Sequence, residues 1–218
     1  MPNNTPQKTM NRRKFLKLAG ATLGVSAVAC CGLGTLATRQ PQVNFIENHY
    51  PGENNMKQRI LVAYASKAGS TGEVAAAIGQ TLAVNGAVVD VYPIEEVPNI
   101  QDYQAVIVGS AIRAGRWLAA ATRFVETHQS YLSHIPTAYF TCCMGLSEET
   151  EENRRKALGY MDPVRRMVTP LAVGAFAGKM DYSKLSFLDQ MMVKAIGVPE
   201  GDFRQWEAIR AWAGSLQL

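Results

Sequence analysis

Six consecutive residues, Ser66-Lys67-Ala68-Gly69-Ser70-Thr71, carry the clearest chemistry in this sequence of 218 residues. A phosphate must be met by many donors in a small space. Ser66, Ser70 and Thr71 offer hydroxyls, and Gly69 lets the backbone bend inward. A helix opening at Thr71 adds backbone N–H groups and partial positive charge. A dianionic monophosphate satisfies that set without an arginine clamp. The loop is not of the Walker type, because G-x-x-x-x-G-K is absent.

Other reactive side chains are sparse. The four cysteines form two adjacent pairs, Cys30-Cys31 and Cys142-Cys143, without C-x-x-C spacing. Vicinal bridges are strained, so neither a disulfide framework nor a metal site is expected. No neighbouring base lowers the thiol pKa of Cys142 or Cys143, which read as structural residues at a strand end. His128 and His134 read as surface groups. No Ser/His/Asp set and no carboxylate pair presents itself, so catalytic residues are not assigned.

The elements that must position the loop alternate between strand and helix. Arg59–Ala65 is a short apolar run bounded by a turn and reads as a buried strand. Thr71 to Val84 has helical spacing and is stopped by Asn85-Gly86. Strands are expected at 87–92, 104–109, 137–143 and 171–177. The unalternating Ala-Val-Ile-Val of the third implies burial on both faces. A helix is expected from Trp117 to Leu132. Another is capped by Ser147, with Glu151–Arg155 and Glu152–Lys156 pairs along it. The last is capped by Asp202 with Gln205 at the capping-box position. This alternation predicts an α/β fold with parallel strands and right-handed crossovers, in the doubly wound order 2-1-3-4-5. The stretch 179–201 exceeds a normal connection. Leu185, Leu188, Met191, Met192, Ala195 and Ile196 within it suggest an amphipathic helix.

The run Val62-Ala63-Tyr64-Ala65-Ser66-Lys67-Ala68-Gly69-Ser70-Thr71-Gly72-Glu73-Val74-Ala75 resembles the flavodoxin FMN-phosphate signature. Ala63 departs mildly from the larger apolar residue usual there. Gly109-Ser110-Ala111-Ile112-Arg113-Ala114-Gly115 resembles the Gly-x-x-Ile-Arg-x-Gly segment of the menaquinone-dependent protoporphyrinogen dehydrogenases, and the long insertion is similar to theirs. Ala114 stands where that family often has an aromatic residue. The resemblance covers residues 59–216. It implies a flavodoxin-like, five-stranded parallel sheet holding FMN, with Ser66 to Thr71 on the phosphate. It further implies that Ser110, Ala111, Ile112, Arg113, Gly115 and Trp117 after the third strand flank the isoalloxazine ring. Cys142, Cys143, Met144 and Gly145 after the fourth offer it backbone groups. Trp117 either stacks on the ring or packs into the core. Arg113 or Arg116 either stabilises reduced flavin or is merely solvated.

The first 37 residues read as an address. Asn11-Arg12-Arg13-Lys14-Phe15-Leu16-Lys17 resembles the twin-arginine export motif, and a weakly apolar, uncharged run from Leu18 to Ala37 follows. The alternative is a retained membrane anchor, since the run is long enough to span a bilayer. Ala27-Val28-Ala29-Cys30 offers both a small-x-small cleavage site and an imperfect lipobox. Residues 38–58 read as a polar tether joining this segment to the domain at 59–218.

Bulk properties narrow the function. The formal charge is +4, but Lys8, Arg12, Arg13, Lys14 and Lys17 all precede Glu47, the first acid. The rest of the chain is nearly neutral, so no nucleic-acid footprint is indicated. Three functions remain in view. One is an FMN oxidoreductase akin to protoporphyrinogen dehydrogenase that passes electrons to a quinone. The second is an exported, tethered electron carrier acting on partner proteins. The third is a binding module that has lost its flavin, which leaves the phosphate loop without a reason.

Overall fold

The computed structural model describes residues 41–52 and 58–218. The expected export segment at 1–37 lies outside them. Strand β1 spans Asn48–Tyr50, β2 Arg59–Ala65 and β3 Val88–Pro93, with helix α1 (Ser70–Val84) between β2 and β3. Next come β4 (Ala105–Arg113), β5 (Arg116–Trp117), α2 (Ala119–Thr127) and α3 (Gln129–Leu132). Strand β6 (Thr137–Cys143), helices α4 (Glu151–Gly159) and α5 (Asp162–Met167), and β7 (Ala172–Ala177) complete the central layer. The insertion holds β8 (Lys179–Met180), α6 (Phe187–Ala195) and β9 (Gly201–Asp202), and α7 (Trp206–Gly214) closes the chain.

The parallel strands run β3-β2-β4-β6-β7, the doubly wound order that the βα alternation implies. Successive residues of β2 face opposite layers. Ile60, Val62 and Tyr64 pack with Ile78 of α1 and Ile209 of α7. Leu61, Ala63 and Ala65 pack with Phe124 and Val125 of α2 and Val164 of α5. A strand covered on both sides needs apolar residues at every position, which explains its unalternating sequence.

Several details differ from the sequence expectation. The tether at 38–58 is not wholly free: Asn48–Tyr50 extends the sheet antiparallel to β3. His49 Nδ1 lies 2.6 Å from the buried Asp90 carboxylate, which Arg59 also grips at 2.8 Å. The expected helix 117–132 begins only at Ala119 and breaks at His128. Trp117 instead belongs to β5, a two-residue strand folded back on β4. Thr150, not Ser147, caps α4, its side chain accepting from Asn153 N–H. Asp202 does not cap α7. It sits in β9, paired antiparallel with Lys179, and binds Arg204.

Candidate functional site: a phosphate loop at the carboxyl edge of the sheet

Three loops open side by side at one edge of the sheet, because their strands are neighbours in register. Ala65 pairs with Ser110, and Ala111 with Cys142. That edge, at the switch point of the strand order, is where doubly wound folds bind ligands.

The loop 66–69 makes a tight turn into α1. Gly69 has φ 86°, a left-handed conformation that glycine adopts freely. Its N–H donates to Ser66 Oγ at 3.0 Å, and its carbonyl accepts from Gly72 N–H at 2.9 Å. Gly69 has no side chain to cap α1, so the first N–H groups of the helix stay open to an anion. Thr71 is fully buried, and its Oγ1 has no hydrogen-bond partner among the described residues. Such an orphan calls for an acceptor, and a phosphate oxygen is one. Lys67 is exposed at the rim, while Ser66, Ala68 and Ser70 are half-buried. The donor set and the orphaned hydroxyl fit a monophosphate.

The second loop is a hairpin. Strand β4 continues to Arg113, past the expected end at Gly109, and turns through Ala114 (φ 49°) and Gly115 (φ 71°) into β5. Ser110 is fully buried, and its hydroxyl is engaged internally, donating to Ala111 O and accepting from Leu118 N–H. Ala111 and Ile112 are half-buried strand residues and Gly115 is exposed. Arg113 is ion-paired with Asp189 of α6, so the insertion helix is tied to this hairpin. Arg116 stays exposed at the tip. The stacking role considered for Trp117 does not fit its place: it is buried edge-on to Tyr139, with ring centroids 5.5 Å apart. The reversal at Ala114-Gly115 turns the indole into the layer beneath the hairpin.

The third loop starts from buried Cys142 and Cys143. Burial pushes the Cys142 thiol up to about 12, so it is a neutral packing group at physiological pH. Burial also raises Cys143, whose Sγ accepts from Gly145 N–H at 3.3 Å. Met144 is half-buried and Gly145 exposed, leaving this turn's backbone reachable from the same edge.

Two features of the site escaped the sequence. Residues 43–47 cross the phosphate loop, with Val43 Cγ1 only 3.0 Å from where a Cβ on Gly69 would stand. The Tyr64 hydroxyl holds them, accepting from Ile46 N–H at 2.7 Å and donating to Ile46 O at 3.0 Å. Burial pushes this phenol up to about 12, so it remains a donor. A cleft of about 670 Å³ lies between this strap, Ser66, Lys67 and Glu95. The apolar trio Val43, Phe45 and Ile46 was the available signal. The second feature is Arg204, which is buried against Glu73 of α1. Nothing in its local sequence distinguishes it from a surface arginine.

These features define a flavodoxin-type FMN protein. The Flavodoxin domain model matches residues 61–205, and the chain belongs to that family. FMN is its cofactor. The chain is 27% identical over 172 residues to a protoporphyrinogen IX dehydrogenase [quinone] of Leishmania major, covering 72% of this chain and 74% of the relative. It is 24% identical to the protein of the same name from Escherichia coli K12, covering 72% of this chain and 94% of the relative. Among solved structures, an archaeal flavodoxin superposes with a TM-score of 0.41 at 20% identity, covering 63% of this chain and 99% of that one. A Lactobacillus acidophilus flavoprotein in complex with FMN gives 0.41 at 13% identity, covering 55% and 93%.

Proposed function

We propose that this protein is an FMN oxidoreductase that takes electrons from a reduced apolar donor of the protoporphyrinogen type and delivers them to a quinone. One observation carries the reading. The insertion helix α6 and its C-cap Ile196 expose an apolar face of Phe187, Leu188, Met191, Met192 and Ile196, and Arg113–Asp189 ties the helix to the hairpin beside the cofactor edge. An apolar donor or acceptor would meet such a face. The relatives named for this activity support it, since the match spans 94% of the Escherichia coli protein.

In this account Ser66, Ser70, Thr71 and the first N–H groups of α1 hold the phosphate, with Lys67 adding charge at the rim and Ala68 and Gly69 keeping the loop slim. The hairpin residues Ala111 to Gly115 and the turn Cys142 to Gly145 flank the ring. Trp117 supports the hairpin from the core. FMN, when bound, supplies the electron transfer, and the protein supplies binding and orientation. In this reading Arg116, exposed at the hairpin tip, steadies negative charge at the rim, while Arg113 is tied to Asp189. The Arg12-Arg13 motif supports export by the twin-arginine route, with membrane association through the N-terminal segment.

The test is an assay of protoporphyrinogen oxidation by the FMN-loaded protein with a menaquinone analogue. Turnover well above that of free FMN is expected; turnover equal to free FMN would sink the reading. The second reading is a tethered electron carrier without a small-molecule substrate, favoured by the same export motif, because tetrapyrrole synthesis is ordinarily completed on the cytoplasmic side. Two well-separated one-electron reduction steps, without substrate turnover, would favour the carrier.

A further inference from the structure

We propose that Arg204 is a positioning residue for the flavin phosphate: it masks the Glu73 carboxylate in the first turn of α1 and so lets the loop at 66–71 accept a dianion. The inference rests on the phosphate placement proposed above. Nothing in the loop's own sequence requires an arginine, yet one is buried beside it.

Four of the five N–H donors of the guanidinium have partners among the described residues. Its side chain is 3% exposed, and Nη1 lies 2.8 Å from Glu73 Oε2. Nε and Nη2 donate to Asp202 at 2.7 and 2.5 Å. Nη1 also reaches the Ser70 carbonyl at 3.4 Å, and the plane lies 4.4 Å from the Trp206 ring centre. With Nη1 and Nε committed to Glu73, Ser70 and Asp202 and the side chain only 3% exposed, Arg204 acts through its neighbours and not as a direct phosphate clamp.

Charge explains why it matters. Glu73 favours the helix dipole at the start of α1. The same carboxylate repels an anion arriving at that turn. One guanidinium shared by Glu73 and Asp202 leaves the trio one charge negative, and removing it leaves two. The guanidinium is buried while the two carboxylates are 37% and 39% exposed, so water screens part of this difference but not all of it. Asp202 closes the neck of the insertion through the β8–β9 pair. Arg204 therefore also fastens that neck to the helix carrying the phosphate donors.

The experiment titrates FMN and riboflavin, which lacks the phosphate, into flavin-free full-length protein by flavin fluorescence. For R204Q we expect FMN affinity to fall by roughly tenfold or more, with riboflavin affinity unchanged. Adding E73Q to R204Q should recover most of the loss. E73Q alone, which keeps the Asp202–Arg204 pair, should tighten FMN and leave riboflavin unchanged; it carries the test if R204Q fails to fold. Equal losses for both flavins, no rescue in the double variant, or FMN affinity in E73Q that is unchanged or weakened would overturn the proposal. Wild-type protein that binds FMN no tighter than riboflavin would instead overturn the phosphate placement itself.

Discussion

Gly69 is held on two sides. Its φ of 86° suits glycine, and Val43 Cγ1 stands 3.0 Å from where a Cβ would be. A side chain there meets both backbone strain and the strap. Gly69→Ala should therefore cost roughly 1 to 3 kcal/mol and weaken FMN binding by tilting the loop. Urea denaturation and a flavin titration together check this. A variant with wild-type stability and affinity would mean that the turn adapts freely. Thr71 poses the complementary case. Its buried hydroxyl lacks a partner among the described residues, and a ligand oxygen would end that cost. Burial raises the pKa of the Cys142 thiol beside it, in keeping with a neutral packing group.

The added edge strand β1 depends on one carboxylate. Burial raises the Asp90 pKa, but hydrogen bonds from His49 and Tyr103 and the charge of Arg59 outweigh it, and the net value lies below the ordinary range. A depressed carboxylate contributes stability above its unfolded pKa of about 4 and loses it as pH falls through the folded value. Urea midpoints should accordingly fall steepest below about pH 4. Asp90→Asn should be less stable at neutral pH and show a flatter profile in that acid range. An unchanged profile would remove Asp90 from the account.

The insertion makes a separate prediction. Helix α6 is capped by Ser186, whose hydroxyl accepts from Asp189 N–H, and its apolar face is uncovered among the described residues. Deleting residues 183–196 should leave FMN bound, because the phosphate loop lies on other elements. It should abolish quinone reduction. Quinone reactivity untouched by the deletion would move the acceptor site elsewhere.

At the scale of the molecule, the central fold was legible because its information is local. Continuous apolar runs such as Ile60–Ala65 announce strands covered on both faces, and α1 begins where the phosphate loop ends. Parallel crossovers then restrict the order. The departures are features set by distant partners. Strands β1 and β5 have three and two residues, too few for a local signal. Trp117 has helical neighbours in sequence, yet the turn at Ala114-Gly115 places it in a hairpin. Arg204 meets Glu73 across 131 positions of chain, a pairing invisible to any spacing rule. The turn at 66–69 between β2 and α1 was legible because Gly69 and the hydroxyl residues around it are neighbours in the chain.

Binding of FMN through the Ser66–Thr71 loop is the claim on which the rest stands. The direct measurement is the visible spectrum and FMN affinity of the purified protein beside Ser66→Ala/Thr71→Ala. The account predicts a yellow wild-type protein with flavin absorption bands. It predicts a double variant that folds but loses FMN by roughly a hundredfold or more, each lost charge-assisted hydrogen bond costing about 1.5 to 3 kcal/mol. A colourless wild-type protein that takes up no FMN, or a double variant with unchanged affinity, would contradict it.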